Sequence, residues 1–124
     1  MVSQLHVCVG VGKPFNPILG ETFQAKVGKT EIYMEQTSHH PPVFNYYVKH
    51  QDFTAFGHSQ MEASAGANSM TAINFGKFYL RFNDGVLHRF HVPRFSMTGL
   101  MLGKRYMNFE GSIIIEDLVI YIFF

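Results

Sequence analysis

At 124 residues and 47% hydrophobic content, the chain holds enough apolar material for one globular domain or part of one. Ten Lys and Arg against nine Asp and Glu leave a net charge of +1, which disfavours a broadly basic nucleic-acid-binding surface. Charged residues make up 15% of the chain where a soluble domain carries about 25%, and the excess is aromatic: 13 Phe and 6 Tyr alongside 11 Gly and 5 Pro, a composition for strands and turns rather than long helices.

The single Cys8 forms no internal disulfide and no Cys-rich zinc site, so a reducing, cytosolic setting is expected. Met1 to Gly12 lacks the basic and apolar regions of a signal peptide.

From Gly10 to Gly20, the turn-formers Gly10, Gly12, Pro14, Pro17 and Gly20 read as loop. Thr22 to Val27 and Thr30 to Gln36 then flank Gly28-Lys29 as a hairpin. Ser38-His39-His40-Pro41-Pro42 is expected to break the ladder, because neither proline donates a hydrogen bond and each pushes its predecessor towards an extended conformation. Val43 to His50, Phe53 to Ala63 and Met70 to Phe75 read as further strands. Phe78 to Phe82 and Val86 to Val92 form the clearest hairpin, around Asn83-Asp84-Gly85. Apolar runs near Leu100 to Phe109 and Ile113 to Phe124 complete eight or nine strand candidates and no long helix. The last run contains Glu116 and Asp117 and falls short of the roughly 18 residues a spanning helix needs. It continues as Leu118-Val119-Ile120-Tyr121-Ile122-Phe123-Phe124 without a closing turn, so the chain reads as a piece of a larger β-rich domain.

Two clusters stand apart from ordinary strand composition: Lys13-Pro14-Phe15-Asn16-Pro17-Ile18-Leu19-Gly20-Glu21 and Glu35-Gln36-Thr37-Ser38-His39-His40-Pro41-Pro42. They place an ammonium, an amide and two imidazoles on proline-stiffened loops, and His39 with His40 donate up to four N–H bonds when both are protonated. That set suits a phosphate. Metal chelation by the pair is disfavoured, since neighbours on an extended chain point to opposite faces and no His-x-His spacing accompanies them. His6, His50, His58, His88 and His91 read as structural or solvated. Gly28-Lys29-Thr30 lacks the earlier glycine and following helix of a P-loop, Gly10-Val11-Gly12 lacks the third glycine of a dinucleotide fingerprint, and no Gly-x-Ser-x-Gly elbow occurs. No credible catalytic centre emerges, and no cofactor is implied.

The second cluster resembles the signature Glu-Gln-x-Ser-His-His-Pro-Pro of the oxysterol-binding protein family, and the first is similar to that family's Lys-Pro-x-Asn-Pro-x-Leu-Gly-Glu segment. Thr37 stands where valine is usual. The resemblance implies a mostly β fold, part of an incomplete antiparallel β-barrel enclosing a hydrophobic lipid tunnel. On that reading, residues 1–124 are a partial lipid-binding domain, with the N-terminal lid and the C-terminal part absent. It implies that Lys13, Asn16, His39 and His40 bind a phosphoinositide headgroup, typically phosphatidylinositol 4-phosphate, at the tunnel mouth. The implied function is non-enzymatic: lipid binding and transfer, exchanging a sterol or other lipid for the phosphoinositide, by a cytosolic protein peripheral at organelle membranes. A sensing or tethering module without net transfer is the alternative. With a phosphate near His39 and His40, binding is expected to weaken as pH rises through the histidine range.

Overall fold

The computed structural model describes residues 15–118, and every regular element among them is a strand. The strands are β1 (Thr22–Val27), β2 (Thr30–His39), β3 (Pro42–Lys49), β4 (Phe53–Ala65), β5 (Ser69–Asn74), β6 (Lys77–Phe82), β7 (Leu87–His91), β8 (Arg94–Thr98), β9 (Tyr106–Glu110) and β10 (Ile114–Leu118). They form one antiparallel sheet that forks and does not close. The path β1-β2-β3-β4-β5-β8-β9 is one arm, and β6, β7 and β10 form a second arm that also springs from β4.

The fork exists because β4 is long enough to serve two partners. Its first half, Phe53 to His58, pairs with β6, and its second half, Met61 to Ala65, pairs with β5. Asn74 fills the split: its Oδ1 accepts from Gln60 N at 3.2 Å and Gly76 N at 2.8 Å, while its Nδ2 donates to Ser59 Oγ at 2.9 Å. Gly76 has to be a glycine here, since a Cβ would lie 2.1 Å from the His58 carbonyl oxygen.

Two sequence expectations are corrected. The ladder does not break at Ser38-His39-His40-Pro41-Pro42: β2 runs on to His39, which pairs directly with Pro42, and only His40 and Pro41 form the turn, with a cis bond between them. The missing donors of the prolines cost little at a strand's first residue and inside a turn. The run from Leu100 is loop up to Tyr106, while an unexpected strand, β8, precedes it. Phe95 and Met97 alternate with Arg94, Ser96 and Thr98, the period-2 pattern of a strand, whereas Leu100-Met101-Leu102 is a continuous run framed by Gly99 and Gly103 at φ +74° and +90°. Of the final apolar run, β10 takes Ile114–Leu118, and residues 119–124 lie outside the described part.

Register separates two chemically different faces, because directly paired residues share a side. One face carries Phe23, Ile32, Met34, Phe44, Tyr46 and Val48 from β1 to β3, then Leu80, Phe78 and Phe90 across the second arm. On the first arm the same face continues through Met61, Ala72, Phe95, Met97 and Phe109. Tyr46 stacks on Phe78 at 5.7 Å and Phe78 on Phe90 at 5.4 Å, an aromatic row crossing three strand junctions. Burial pushes the Tyr46 phenol up to about 12, so it stays neutral in this apolar setting. The opposite face carries the charged Lys26, Glu35, Lys49, Lys77, Arg81 and Arg89 together with the rings of Tyr33, Tyr47, Phe56 and Tyr79.

The apolar face is largely uncovered. Among the described residues Ala72 is the one buried hydrophobic side chain, at 2% exposure. Phe23 and Val27 are 57% and 66% exposed on the same face. A chain with this much apolar content normally encloses a core. Here the apolar residues line an open surface instead.

Candidate functional site

The β2–β3 hairpin is regular up to Gln36↔Phe44, then slips by one residue, so that Ser38 pairs with Val43 and His39 with Pro42. The extra residue is a β-bulge at Thr37, and it re-aims everything beyond it. Without it, Gln36 and His39 would point to opposite faces; with it, both stand on the apolar side. Thr37 accepts a 2.7 Å hydrogen bond at Oγ1 from Asn45 Nδ2, which ties the bulged strand to its neighbour on the polar side.

Gln36 is fully buried, the one buried polar side chain among the described residues. Its amide nitrogen donates to the Ser38 carbonyl at 2.9 Å and faces His39 Nδ1 at 3.2 Å. A carbonyl can only accept, so the Ser38 contact sets which end of the amide is nitrogen. The second amide proton then makes His39 Nδ1 an acceptor, and the ring proton sits on Nε2. In that tautomer the Nε2–H is the one ring N–H that His39 has left to donate. The other amide atom, Gln36 Oε1, is buried with no hydrogen-bond partner.

His40 stands in the turn rather than in the strand, and this corrects the expectation of opposed imidazoles. The rings of His39 and His40 lie 4.6 Å apart, edge to face at 64°. Both are exposed. Two imidazoles thus stand together at the tip of one hairpin, at the end of the apolar face.

The other motif approaches the same hairpin, near its tip. Ile18 to Glu21 form a tight turn, with Glu21 N donating to Ile18 O at 2.9 Å and Gly20 at φ +88° in its third position. The Glu21 carboxylate turns back to accept from Ile18 N at 3.0 Å, so it locks its own turn. A cavity of about 230 Å³ is lined by Pro17, Glu21 and Phe23 on one side and by Met34, Gln36 and Phe44 on the other. The two motifs, separate in sequence, share its walls. Asn16, next to Pro17, is exposed and makes no hydrogen bond to either histidine among the described residues; Lys13 lies outside them. A second cavity of about 260 Å³ lies farther along the apolar face at the fork, between Met61, Asn74, Pro93, Phe95, Met107 and Phe109.

Of the other histidines, three are engaged elsewhere among the described residues, and His6 lies outside them. His50 sits 3.3 Å from Asp52 and stacks on Phe53, His88 pairs with Asp117, and His91 lies 3.8 Å from Glu116 on the other face. Among the described residues no three of His, Cys, Asp or Glu gather as a metal site, and no helix is long and apolar enough to cross a membrane. The sequence marked Gln36 as part of a motif but gave no sign of its task, which depends on a bulge that no residue type announces.

Fold and site together define an all-β module: an unclosed antiparallel sheet with one apolar face ending at a histidine-bearing rim. The family model described as oxysterol-binding protein matches residues 1–119, and the chain belongs to that family. It is 32% identical over 120 residues to oxysterol-binding protein 9 of Dictyostelium discoideum, covering 94% of this chain and 28% of that protein. With the mouse oxysterol-binding protein-related protein 5 it shares 34% identity, over 86% of this chain and 13% of the relative. The Osh3 ORD of Saccharomyces cerevisiae, solved in complex with PI(4)P, superposes with a TM-score of 0.77 at 29% identity, over 85% of this chain and 29% of that one. The Osh1 ORD solved with cholesterol gives 0.78 at 29% identity, over 86% and 27%. The chain thus spans less than a third of these relatives.

Proposed function

We propose that this chain carries the headgroup-reading part of a lipid-exchange domain. Lys13, Asn16, His39 and His40 bind the phosphate of phosphatidylinositol 4-phosphate. The apolar face lines a tunnel that shelters either that lipid's acyl chains or a sterol. The protein works by binding alone, on the cytosolic side of organelle membranes, and exchanges one lipid for the other. A lid and the rest of the headgroup site come from residues beyond these 124.

The observation that carries this reading is continuity: the doubled histidine stands at the end of one apolar face that runs through both arms of the sheet. Each methylene taken from a bilayer needs about 0.8 kcal/mol of shelter, which an uncovered polar face could not supply. A phosphate needs donors that remain wet until it arrives, as the exposed pair at the hairpin tip does.

The test is flotation and transfer between donor and acceptor vesicles, using the full-length gene product with and without His39→Ala plus His40→Ala. Losing two charge-assisted bonds should weaken phosphoinositide binding by about thirtyfold or more and leave sterol binding nearly unchanged. Equal phosphoinositide binding by both proteins would remove the histidines from the site. Binding without transfer at substoichiometric protein would favour the sensing or tethering role.

A further inference from the structure

We infer that the β8–β9 loop, residues 99–105, is a membrane anchor that seats the histidine-bearing end of the sheet on an anionic bilayer; this rests on the lipid-exchange reading above. The loop holds Met101 and Leu102 at 79% and 78% exposure, followed by exposed Lys104 and Arg105. No ion pair engages either cation among the described residues.

Large apolar side chains at a loop tip are unremarkable when the loop is loose. This one is built. Asn68, in the β4–β5 turn, makes five hydrogen bonds to it: its carbonyl accepts from Gly99 N and Leu100 N, its Oδ1 accepts from Met101 N and Leu102 N, and its Nδ2 donates to Leu102 O. The loop's two ends close so tightly that a Cβ on Gly99 would lie 2.2 Å from the Lys104 carbonyl oxygen. The backbone is therefore fixed in advance, and it holds two hydrophobic side chains in water beside two cations. That pairing suits the boundary between charged headgroups and acyl chains.

Topology places the loop where an anchor is needed. β2 rises to His39, and β4, antiparallel to β3, rises past Gln60 opposite Val43 to Ala65. β5 starts at Ser69 opposite Thr98, the last residue of β8, and β9 starts at Tyr106 opposite the same Thr98. The loop and the histidine turn thus lie at the same end of the sheet. A phosphoinositide can enter head-last only if this end faces the bilayer. A protein partner fits the loop less well, since two side chains fall far short of the about 800 Å² per partner that a specific protein interface buries.

The experiment floats the full-length gene product on vesicles of phosphatidylcholine alone and of phosphatidylcholine with about 30 mol% phosphatidylserine, without phosphoinositide. Binding of a soluble, short-chain phosphatidylinositol 4-phosphate is measured in parallel. Met101→Ser with Leu102→Ser should weaken anionic-vesicle binding about tenfold. Lys104→Gln with Arg105→Gln should weaken it roughly fivefold per charge and erase the preference for anionic vesicles. Both variants should keep wild-type affinity for the short-chain lipid. Met101→Phe with Leu102→Phe should tighten vesicle binding, a gain that misfolding cannot mimic. Unchanged vesicle binding in all three variants would overturn the anchor. Failure of the wild-type protein to bind the short-chain lipid, with vesicle binding still dependent on the loop, would instead overturn the lipid-exchange reading and leave the anchor standing.

Discussion

Two places in this sheet depart from a regular ladder, and each is organised by one amide side chain. At the fork, Asn74 gives its oxygen to two backbone N–H groups and its nitrogen to a hydroxyl, so both ends of the amide are used. At the hairpin, Gln36 spends its nitrogen on Ser38 and His39, while its buried oxygen has no partner. A buried polar atom left unmatched costs about 1–3 kcal/mol. The first amide is a strut with nothing left to offer. The second leaves one atom unmatched while it bonds a neighbouring imidazole, and on the proposed reading the difference separates what builds the fold from what builds the site.

Removing the strut should produce the larger change in stability. Asn74→Ala strands the N–H groups of Gln60 and Gly76 where the arms diverge, and is expected to cost about 3 kcal/mol in chemical denaturation of the full-length protein. Headgroup selectivity should change less than stability, since the Asn74 side chain bonds Ser59, Gln60 and Gly76 and neither histidine. Gln36→Leu should reverse the profile. It deletes an unpaired oxygen along with the useful nitrogen, so stability should stay within about 1 kcal/mol of wild type. Phosphoinositide affinity should fall about tenfold, the value of one charge-assisted bond no longer aimed. Nitrogen NMR of the His39 ring should show the Nε2–H tautomer in the wild-type protein and a mixture in the variant. A stability loss as large as that of Asn74→Ala would make Gln36 a second strut and dissolve the contrast.

Residue chemistry alone encodes the local features of this sheet and not the long-range ones. Alternation and turn chemistry located most strands, and β1 falls at the expected Thr22–Val27, because those signals are local. The motif residues were legible for the same reason: proline, histidine and glycine carry their meaning in their own chemistry. What escaped was non-local. The fork needs Asn74 to reach Gln60 across fourteen positions, and the built loop needs Asn68 to reach Leu102 across thirty-four. The bulge at Thr37 shifts His39 to Gln36's side through register, which composition does not encode. Which residues line the apolar face followed only once register was known.

Thr37 allows a finer test of the hairpin. Thr37→Val removes the hydroxyl that accepts from Asn45 while keeping the β-branched shape. Because the bond is exposed, the expected loss is about 0.5–1 kcal/mol, with phosphoinositide binding within about twofold of wild type. A loss of binding comparable to that of Gln36→Leu would show that this hydroxyl, and not the register shift alone, keeps His39 facing Gln36.

The smallest effect should appear at acidic pH, where the two arms can be compared through one carboxylate each. Glu116 on β10 is held below the ordinary glutamate value of 4.5, first by the hydrogen bond from Arg89 on β7. Glu110 on β9 is lowered too, first by Ser96 and then by Arg94, both on β8. A carboxyl whose folded value is depressed adds stability that is complete above its unfolded value and disappears as pH falls through the folded one. Thermal midpoints should therefore be flat at neutral pH and decline below about pH 4.5, with Glu116→Gln and Glu110→Gln each flattening part of the decline. Both carboxylates sit on the solvent side of the sheet, so screening should shrink each contribution in high salt. If only the Glu116 variant changes the profile, the β7–β10 pairing is the more dependent on its ion pair, and the β8–β9 edge is held by its ladder.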